Sequence, residues 1–139
     1  MTVPSALPCP VRPTTVLVAE DHPLNQKIAR NILEKRGFRV AVAIDGRHAI
    51  QLWRSAPTAY DVILMDIDMP HLDGLKAARR IRRMEARTAS HVPIIAYTAS
   101  SLDADREQCL SAGMDDYIPK PSKPEHLYAA LDRALARRQ

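Results

Sequence analysis

Two carboxylates follow directly on a run of apolar residues in the middle of the chain. The stretch VILMDIDMPHLDG, residues 62–74, leads four bulky apolar side chains straight into Asp66, Ile67 and Asp68. Burying a charged group costs free energy, and carboxylates that crowd one another repel. A positive charge, or a reaction that uses a carboxylate, is therefore expected at this point of the fold.

Further polar side chains follow other short apolar runs. Glu20 and Asp21 come after TTVLVA, Thr98 comes after VPIIAY, and Lys120 comes after DYIP. In an open parallel sheet, ligands bind outside the carboxyl ends of the strands. If these runs are strands of one such sheet, then acids, a hydroxyl group and a lysine meet at one edge of it.

The elements that would position these groups alternate along the chain. Five apolar runs predict strands, and they read TTVLVA, FRVAVA, YDVILM, VPIIAY and DYIP. A helical pattern follows each of them, and this alternation is typical of an α/β protein with a doubly wound parallel sheet. Continuous apolar runs such as VILM are typical of strands that are covered by helices on both faces.

Apolar residues at helical spacing predict the five helices. The first is expected to begin at Pro23, because proline suits a first helical position, and to end before Gly37. Its apolar residues recur along one face, and they are Leu24, Ile28, Ile32 and Leu33. The other four helices are expected to begin near Gly46, Gly74, Asp103 and Pro124.

Length and composition limit the classes of function. A chain of 139 residues with a net charge of +4 is expected to form one moderately basic domain. Aromatic residues make up 4% of the chain, too few for a surface that stacks bases, so no direct nucleic-acid binding is expected. No apolar run approaches the roughly 20 residues of a membrane span, so no membrane contact is expected. Cys9 and Cys109 lack the spacing of a zinc site.

The beginning of the chain differs from the rest in composition. Four prolines predict a disordered arm or linker over residues 1–13, and the folded domain is expected to span residues 14–139. The arm has no basic segment followed by an apolar one, so it is not expected to be a signal peptide. Together with the low cysteine count, this favours a cytoplasmic location.

Four segments together carry a family resemblance. They are Glu20-Asp21, MDIDMPHLDG, YTAS and DDYIPKP, which occur in this order and each at a predicted strand end. In this combination the chain resembles the response-regulator receiver domain of two-component signalling, over residues 16–135. The segments VAEDHPLNQ and CLSAGMDDYIPKP are most similar to receivers of hybrid sensor histidine kinases. The resemblance implies a flavodoxin-like (βα)5 fold with strand order 2-1-3-4-5.

The resemblance implies a role for each acid at this edge. Asp66 would be the phosphoacceptor, a carboxylate nucleophile that takes a phosphoryl group from a phosphohistidine. Asp21 would hold Mg²⁺ directly and Glu20 largely through water. Asp66 would also belong to the metal site, and the backbone carbonyl of Asp68 would complete the protein ligands. Mn²⁺ is expected to substitute for Mg²⁺. A hard cation suits this chemistry because it offsets the repulsion between a carboxylate and an incoming phosphoryl group.

The resemblance also implies a set of residues that bind the phosphoryl group and switch. Thr98 would hydrogen-bond the phosphoryl group, Lys120 would pair with one of its oxygens, and Tyr117 would turn inward when Thr98 moves. Asp68 and Ser100 are expected to modulate the site, and the extra carboxylate of Asp68 predicts an altered rate of dephosphorylation. The domain is expected to catalyse only its own phosphorylation and dephosphorylation.

The implied partner is a sensor histidine kinase or a histidine phosphotransfer protein. Phosphorylation is expected to change the face formed by the fourth helix, the fifth strand and the fifth helix, and to promote homodimer formation there. The third helix carries the one dense basic patch, which is either a solvated face or a surface for an acidic partner. Its members are Arg79, Arg80, Arg82, Arg83 and Arg87.

Three other functions fit parts of the sequence. A haloacid-dehalogenase-like phosphatase would use Asp66 and Asp68 as its nucleophile and acid, but that motif normally follows the first strand and not the third. A degenerate receiver that serves only as an interaction module would not need the full set of acids with Thr98 and Lys120. A DNA-binding regulator would need an output domain, and only ARRQ follows Leu135, so a stand-alone receiver or one excised from a kinase is expected.

Overall fold

Five strands and five helices alternate in the computed structural model, which describes residues 13–69, 71–88, 90–99, 103–120 and 123–137. The strands are β1 (Thr15–Ala19), β2 (Arg39–Ala43), β3 (Val62–Met65), β4 (Ile94–Thr98) and β5 (Asp116–Pro119). The helices are α1 (Pro23–Lys35), α2 (Gly46–Ser55), α3 (Gly74–Glu85), α4 (Asp103–Ser111) and α5 (Pro124–Arg137). Every predicted element is present, and the predicted arm lies outside the described residues except for Pro13.

The strands form one parallel sheet in the order β2-β1-β3-β4-β5. β1 is paired on both sides, so that Val16 lies opposite Val40 of β2 and opposite Val62 of β3. The chain therefore reverses its direction of winding after β2, which places helices on both faces of the sheet. The predicted flavodoxin-like architecture and strand order are confirmed.

Two apolar cores lie on opposite faces of this sheet. Successive residues of a strand point to opposite faces, so Leu17 and Ile63 pack beneath α2, α3 and α4, whereas Val16 and Leu64 pack beneath α1 and α5. All residues of β3 and β4 are buried, as expected of central strands that are covered on both sides. The position of β1, β3 and β4 is thus fixed by packing from above and below.

The apolar face predicted for α1 is only partly covered. Leu33 is buried and Ile32 packs against the core, but 58% of Leu24 and 45% of Ile28 are exposed. The small side chain of Ala29 makes the buried contact in the first half of this helix. Helical spacing shows which residues share a face, but it does not show whether a neighbour covers that face.

The start of α3 packs directly against the end of β3. A Cβ atom on Gly74 would lie 2.1 Å from the backbone carbonyl oxygen of Asp66, so only glycine fits at this position. The backbone N–H of Gly74 donates to the carbonyl of Ile67 at 2.9 Å, and the Asp73 carboxylate caps the helix by accepting from Lys76 N. The loop after β3 is therefore held close to the strand end that it leaves.

A partly buried ionic cluster fixes the opposite edge of the sheet, before β4 and β5. The Arg82 guanidinium donates to Glu85 at 2.6 Å, to Asp115 at 2.7 Å and to the carbonyl oxygens of Val92 and Gly113 at 2.8 Å. Arg82 was predicted to belong to the basic patch of α3, but in the structure its side chain points towards the sheet and links α3 to the segments before β4 and β5. In the part of the chain that the structure describes, no helix is long and apolar enough to cross a membrane.

Candidate functional site

Three carboxylates meet where β1 and β3 end. Ala19 lies opposite Met65 in the sheet, so the residues that follow, Glu20 and Asp66, are neighbours. One carboxylate oxygen from each of Glu20, Asp21 and Asp66 lies within 4.8 Å of the others. Glu20 and Asp66 are buried, at 4% and 8% exposure, whereas Asp21 is exposed. This is the point where the winding of the sheet reverses and where ligands of such folds bind.

One lysine compensates both buried acids. Lys120 follows β5, and its ammonium group hydrogen-bonds the Glu20 carboxylate and lies 3.6 Å from Asp66 Oδ2. Its Nζ atom also lies 5.2 Å from the centre of the Tyr97 ring, a distance typical of a cation–π contact. The backbone N–H of Lys120 donates to the carbonyl of Thr98 at 2.6 Å. The lysine is thus fixed at its backbone and spans β4 to reach the acids.

The two buried acids differ in how well their charge is compensated. Burial alone would raise the pKa of Glu20, but hydrogen bonds from Lys120 and from the backbone N–H of His22 hold that pKa below its ordinary value. Burial raises the pKa of Asp66 to about 6; the attraction of Lys120 opposes this rise and the negative charge of Glu20 adds to it. Asp66 is therefore a carboxylate at neutral pH, but one that gains from an additional positive charge.

Thr98 presents a hydroxyl group that has nothing to bind in the described structure. It is the last residue of β4, its exposure is zero, and its Oγ1 atom has no hydrogen-bond partner among the described residues. An unsatisfied buried hydroxyl costs free energy. Because β4 lies next to β3, this hydroxyl is an unused donor at the same end of the sheet as Asp66.

The remaining predicted residues have different surroundings. Asp68 is exposed, and its backbone N–H donates to Asp66 Oδ1 at 3.3 Å. Tyr117 is half-buried in β5 and packs at the border of the core beneath α4. Ser100 lies outside the described residues.

Sequence reasoning missed one contact that shapes the site. Gln26, in the second turn of α1, donates its side-chain Nε2 to the carbonyl oxygen of Glu20 at 2.6 Å. His22, which is exposed, caps α1 by accepting from the backbone N–H of Leu24. The signal for Gln26 was its position six residues after Glu20, on the turn of α1 that returns to the end of β1.

The donor set fits a hard divalent cation. Carboxylate oxygens are the ligands that Mg²⁺ prefers, and it commonly binds through one or two carboxylates, water molecules and phosphate oxygens. Glu20, Asp21 and Asp66 supply such oxygens within one small volume, and one of them, Asp21, is exposed to solvent.

Comparison with known proteins identifies the family. A model described as "Response regulator receiver domain" matches residues 16–132. The chain belongs to this family. The receiver is similar to "Hybrid signal transduction histidine kinase I" of Dictyostelium discoideum, with 43% identity over 128 residues, which covers 90% of this chain and 7% of that protein. It is also 36% identical over 136 residues to "Histidine kinase 3" of Arabidopsis thaliana, covering 85% of this chain and 13% of that protein.

Solved structures of receivers superpose on this one. The receiver domain of the sensor histidine kinase PA1611 from Pseudomonas aeruginosa, which has a magnesium ion in its active-site cleft, is 41% identical with a TM-score of 0.80 and covers 90% of this chain and 99% of that one. The receiver domain of the Saccharomyces cerevisiae regulator Ssk1, solved with the phosphotransfer protein Ypd1, is 28% identical with a TM-score of 0.83 and covers 91% of this chain and 92% of that one.

The family settles the class of function. This receiver is a phosphoacceptor domain of two-component signalling, of the kind found in phosphorelays and hybrid histidine kinases. The comparisons do not support the haloacid-dehalogenase-like alternative, and Asp66 follows the third strand of the sheet. The chain spans between 7% and 14% of the length of the curated histidine kinases that it matches.

Replacing Asp66 by asparagine is expected to stabilise the metal-free protein at pH 8. The fold raises the pKa of this carboxyl group to about 6, compared with 3.8 for an ordinary aspartate. At pH 8 the folded protein therefore contains a carboxylate that costs free energy to keep ionised. A difference of this size corresponds to roughly 3 kcal/mol and already includes the attraction of Lys120. Because burying the polar amide of asparagine also costs free energy, we expect a gain of about 1–2 kcal/mol in the free energy of unfolding.

The gain should shrink as the pH falls through 6 towards 3.8, because the carboxyl group becomes neutral first in the folded state and then in the unfolded state. Urea unfolding in EDTA at pH 8, 6 and 5 measures the difference. Asp68→Asn is the matched control, because Asp68 is exposed and two residues away. A stability loss at pH 8, or a gain that does not vary with pH, would contradict this account.

Proposed function

We propose that this receiver accepts a phosphoryl group on a carboxylate oxygen of Asp66. The support is the combination found at one edge of the sheet: the buried carboxylate of Asp66, two further acids, a lysine that contacts two of the three acids, and a threonine hydroxyl without a partner among the described residues. The domain that carries out this function is proposed to span residues 14–139.

The proposed transfer is a displacement at phosphorus. A carboxylate oxygen of Asp66 forms the new P–O bond, the P–N bond of the donor phosphohistidine breaks, and the bonding pair returns to the imidazole nitrogen, which takes up a proton. The pKa of about 6 leaves Asp66 ionised, and therefore nucleophilic, at neutral pH. Hydrolysis of the resulting acyl phosphate returns Asp66 to its starting state, and we propose that the domain catalyses no reaction beyond these two.

We propose that Glu20, Asp21, Asp66 and the backbone carbonyl of Asp68 hold Mg²⁺, with Mn²⁺ as a substitute. When bound, the cation supplies positive charge that offsets the repulsion between the acids and a phosphoryl group. Lys120 already contacts both buried acids, so a modest movement of its flexible stem would bring its ammonium group to a phosphoryl oxygen. The hydroxyl of Thr98 would donate to another and so gain the partner that it lacks.

The proposed output is a change in the face formed by α4, β5 and α5. Tyr117 of β5 lies opposite Ala96 of β4 in the sheet. Ala96 comes two residues before Thr98 on the same strand. Tyr117 also borders a groove of about 570 Å³ between β5 and α5, and the groove is lined on its far side by Lys123, His126 and Arg133. Movement of Thr98 towards a phosphoryl group would change the packing of Tyr117 and hence the shape of this groove. We propose that phosphorylation promotes homodimer formation here.

The proposed phosphodonor is a sensor histidine kinase or a histidine phosphotransfer protein. Three large apolar side chains are exposed near the acids, and we call them the apolar rim: Leu24 and Ile28 of α1, and Ile44 after β2, at 58%, 45% and 57% exposure. An apolar surface next to the site would hold a donor protein while its phosphohistidine reaches Asp66. No nucleic-acid or membrane contact is proposed for this domain, and we place it in the cytoplasm, where the buried thiol of Cys109 stays reduced.

Acetyl phosphate with Mg²⁺ is expected to add one phosphoryl group to the wild-type chain and none to Asp66→Asn. Intact-protein mass measures the addition, and borohydride reduction followed by peptide mapping locates it. Asp68→Asn, the matched loss of a nearby carboxylate, should still be labelled, and EDTA should slow labelling at least tenfold. Label at any residue other than Asp66, or repeated turnover of a phosphate ester, would refute the proposed function.

Asp68→Asn is expected to lengthen the lifetime of the phosphorylated protein about two- to fivefold, because an exposed charge contributes roughly 1 kcal/mol or less. The Asp68 carboxylate raises the pKa of Asp66 by repulsion, and it should likewise repel a phosphoryl group on that residue. Loss of label after removal of the phosphodonor measures the lifetime. Asp68→Glu, which keeps the charge, should match the wild type, and equal lifetimes in all three proteins would exclude a modulating role.

Leu24→Ser combined with Ile28→Ser is expected to slow phosphotransfer from phosphorylated Ypd1 about tenfold or more, because each large apolar side chain buried on docking contributes roughly 1.5–3 kcal/mol. Labelling by acetyl phosphate needs no docking and should be unchanged. Leu110→Ser on α4, where the leucine is 48% exposed, is the matched control. If this control slows transfer as much as the double variant, the apolar rim is not the docking surface.

A further inference from the structure

The outer face of α3 carries four basic side chains. Lys76, Arg79, Arg80 and Arg83 are all exposed and line a shallow depression of about 300 Å³. Residues three and four apart are neighbours on a helix, so these positions form a single stripe along it. We call these four residues the basic α3 face.

Two surface arginines of this protein have carboxylate partners. Arg36 pairs with Asp132 and Arg133 pairs with Asp116, each at 3.0 Å. Among the residues that the structure describes, no ion pair joins the basic α3 face to a carboxylate. Arg30, Arg39 and Arg54 are also exposed and have no ion pair among the described residues. The stripe differs from them because it places four uncompensated basic side chains side by side on one helix.

The positive charges of the stripe destabilise the helix that carries them. Lys76 lies four residues before Arg80, and Arg79 four residues before Arg83, and like charges at this spacing repel. Lys76 also lies in the first turn, where the positive end of the helix dipole disfavours a cation and where no acid is present. Only Arg83, in the last turn, gains from the dipole. A binding partner outside the domain would account for this cost.

The side chains of α3 favour a segment of protein over a membrane or a nucleic acid as the binding partner. The large apolar residues found exposed in the described structure lie on α1, after β2 and on α4, so α3 offers none that could enter a bilayer. Its sequence, GLKAARRIRRME, has no aromatic ring on which a base could stack. Arginine presents paired N–H donors that match the two oxygens of a carboxylate, which a stripe built on three arginines can use repeatedly.

We propose that the basic α3 face binds an acidic segment of a partner protein, with carboxylates spaced along one side of a helix. The surface lies on the face of the sheet opposite α1, so this partner and a phosphodonor at the apolar rim can bind at the same time. The interaction does not require phosphorylation of Asp66.

The test compares two sets of charge reversals in the full chain. The first is Arg79→Glu, Arg80→Glu and Arg83→Glu, and the matched control on α1 is Lys27→Glu, Arg30→Glu and Lys35→Glu. Each set lowers the formal net charge of +4 by six, and the control residues are likewise exposed. The probe is a fluorescent helix-forming peptide with glutamates four residues apart, and anisotropy at 50 mM and 500 mM salt measures its affinity.

We expect the α3 reversal to weaken peptide binding at least tenfold at low salt and the α1 reversal to weaken it less than threefold. An equal loss of peptide affinity in the two variants would show that only the net charge of the protein matters, and it would overturn the proposal. Duplex DNA and phosphatidylserine vesicles of matched charge are the competing probes, and tighter binding of either to the wild type than of the peptide would also overturn it. Labelling by acetyl phosphate confirms that both variants are folded.

A stability measurement tests the premise separately. Neutral replacement of the same three arginines by glutamine should leave the melting temperature unchanged or raise it, because it relieves repulsion and breaks no ion pair in the described structure. A clear fall in the melting temperature would show that the arginines serve the fold, and the proposal would fail.

Discussion

A single ammonium group controls the carboxyl edge of the sheet. Lys120 bonds to Glu20 and lies near Asp66, and without it two buried carboxylates would face each other in a region of low polarity. The strand order makes this contact possible, because β1 and β3 are adjacent at the point where the winding reverses, while β5 presents the lysine from the far side of β4. The compensation is incomplete, as the raised pKa of Asp66 shows. The site therefore attracts further positive charge and keeps a reactive carboxylate.

Most of this edge could be predicted from the sequence because the signals are local. Each of the central strands is a continuous apolar run, and the polar residue that follows it must emerge at the same edge once the strands are parallel. That reasoning predicted that Glu20 and Asp66 are neighbours, as they are in the structure, and that Thr98 lies at the end of the adjacent strand. The resemblance to receivers then supplied the strand order, which local patterns do not contain.

Contacts between distant parts of the chain could not be predicted in this way. In the sequence, Arg82 is one of several arginines in a basic stretch. In the structure it binds Gly113 and Asp115, more than thirty residues away. Helical spacing likewise grouped Leu24 and Ile28 with Leu33, although the sheet covers only the second half of that face. Amphipathic patterns report composition along one element, whereas burial and pairing depend on which other element packs there.

The unpartnered hydroxyl of Thr98 has a consequence for how long each signalling state survives in a cell. Among the described residues it is the buried side-chain polar atom without a hydrogen bond, and it lies at the end of a central strand that both cores depend on. A group that supplies an acceptor there satisfies this hydroxyl and so stabilises the folded state that holds it. If the proposed function holds, the phosphorylated receiver is therefore more stable than the unphosphorylated one and should resist proteolysis better. Degradation in the cell would then remove unphosphorylated molecules first.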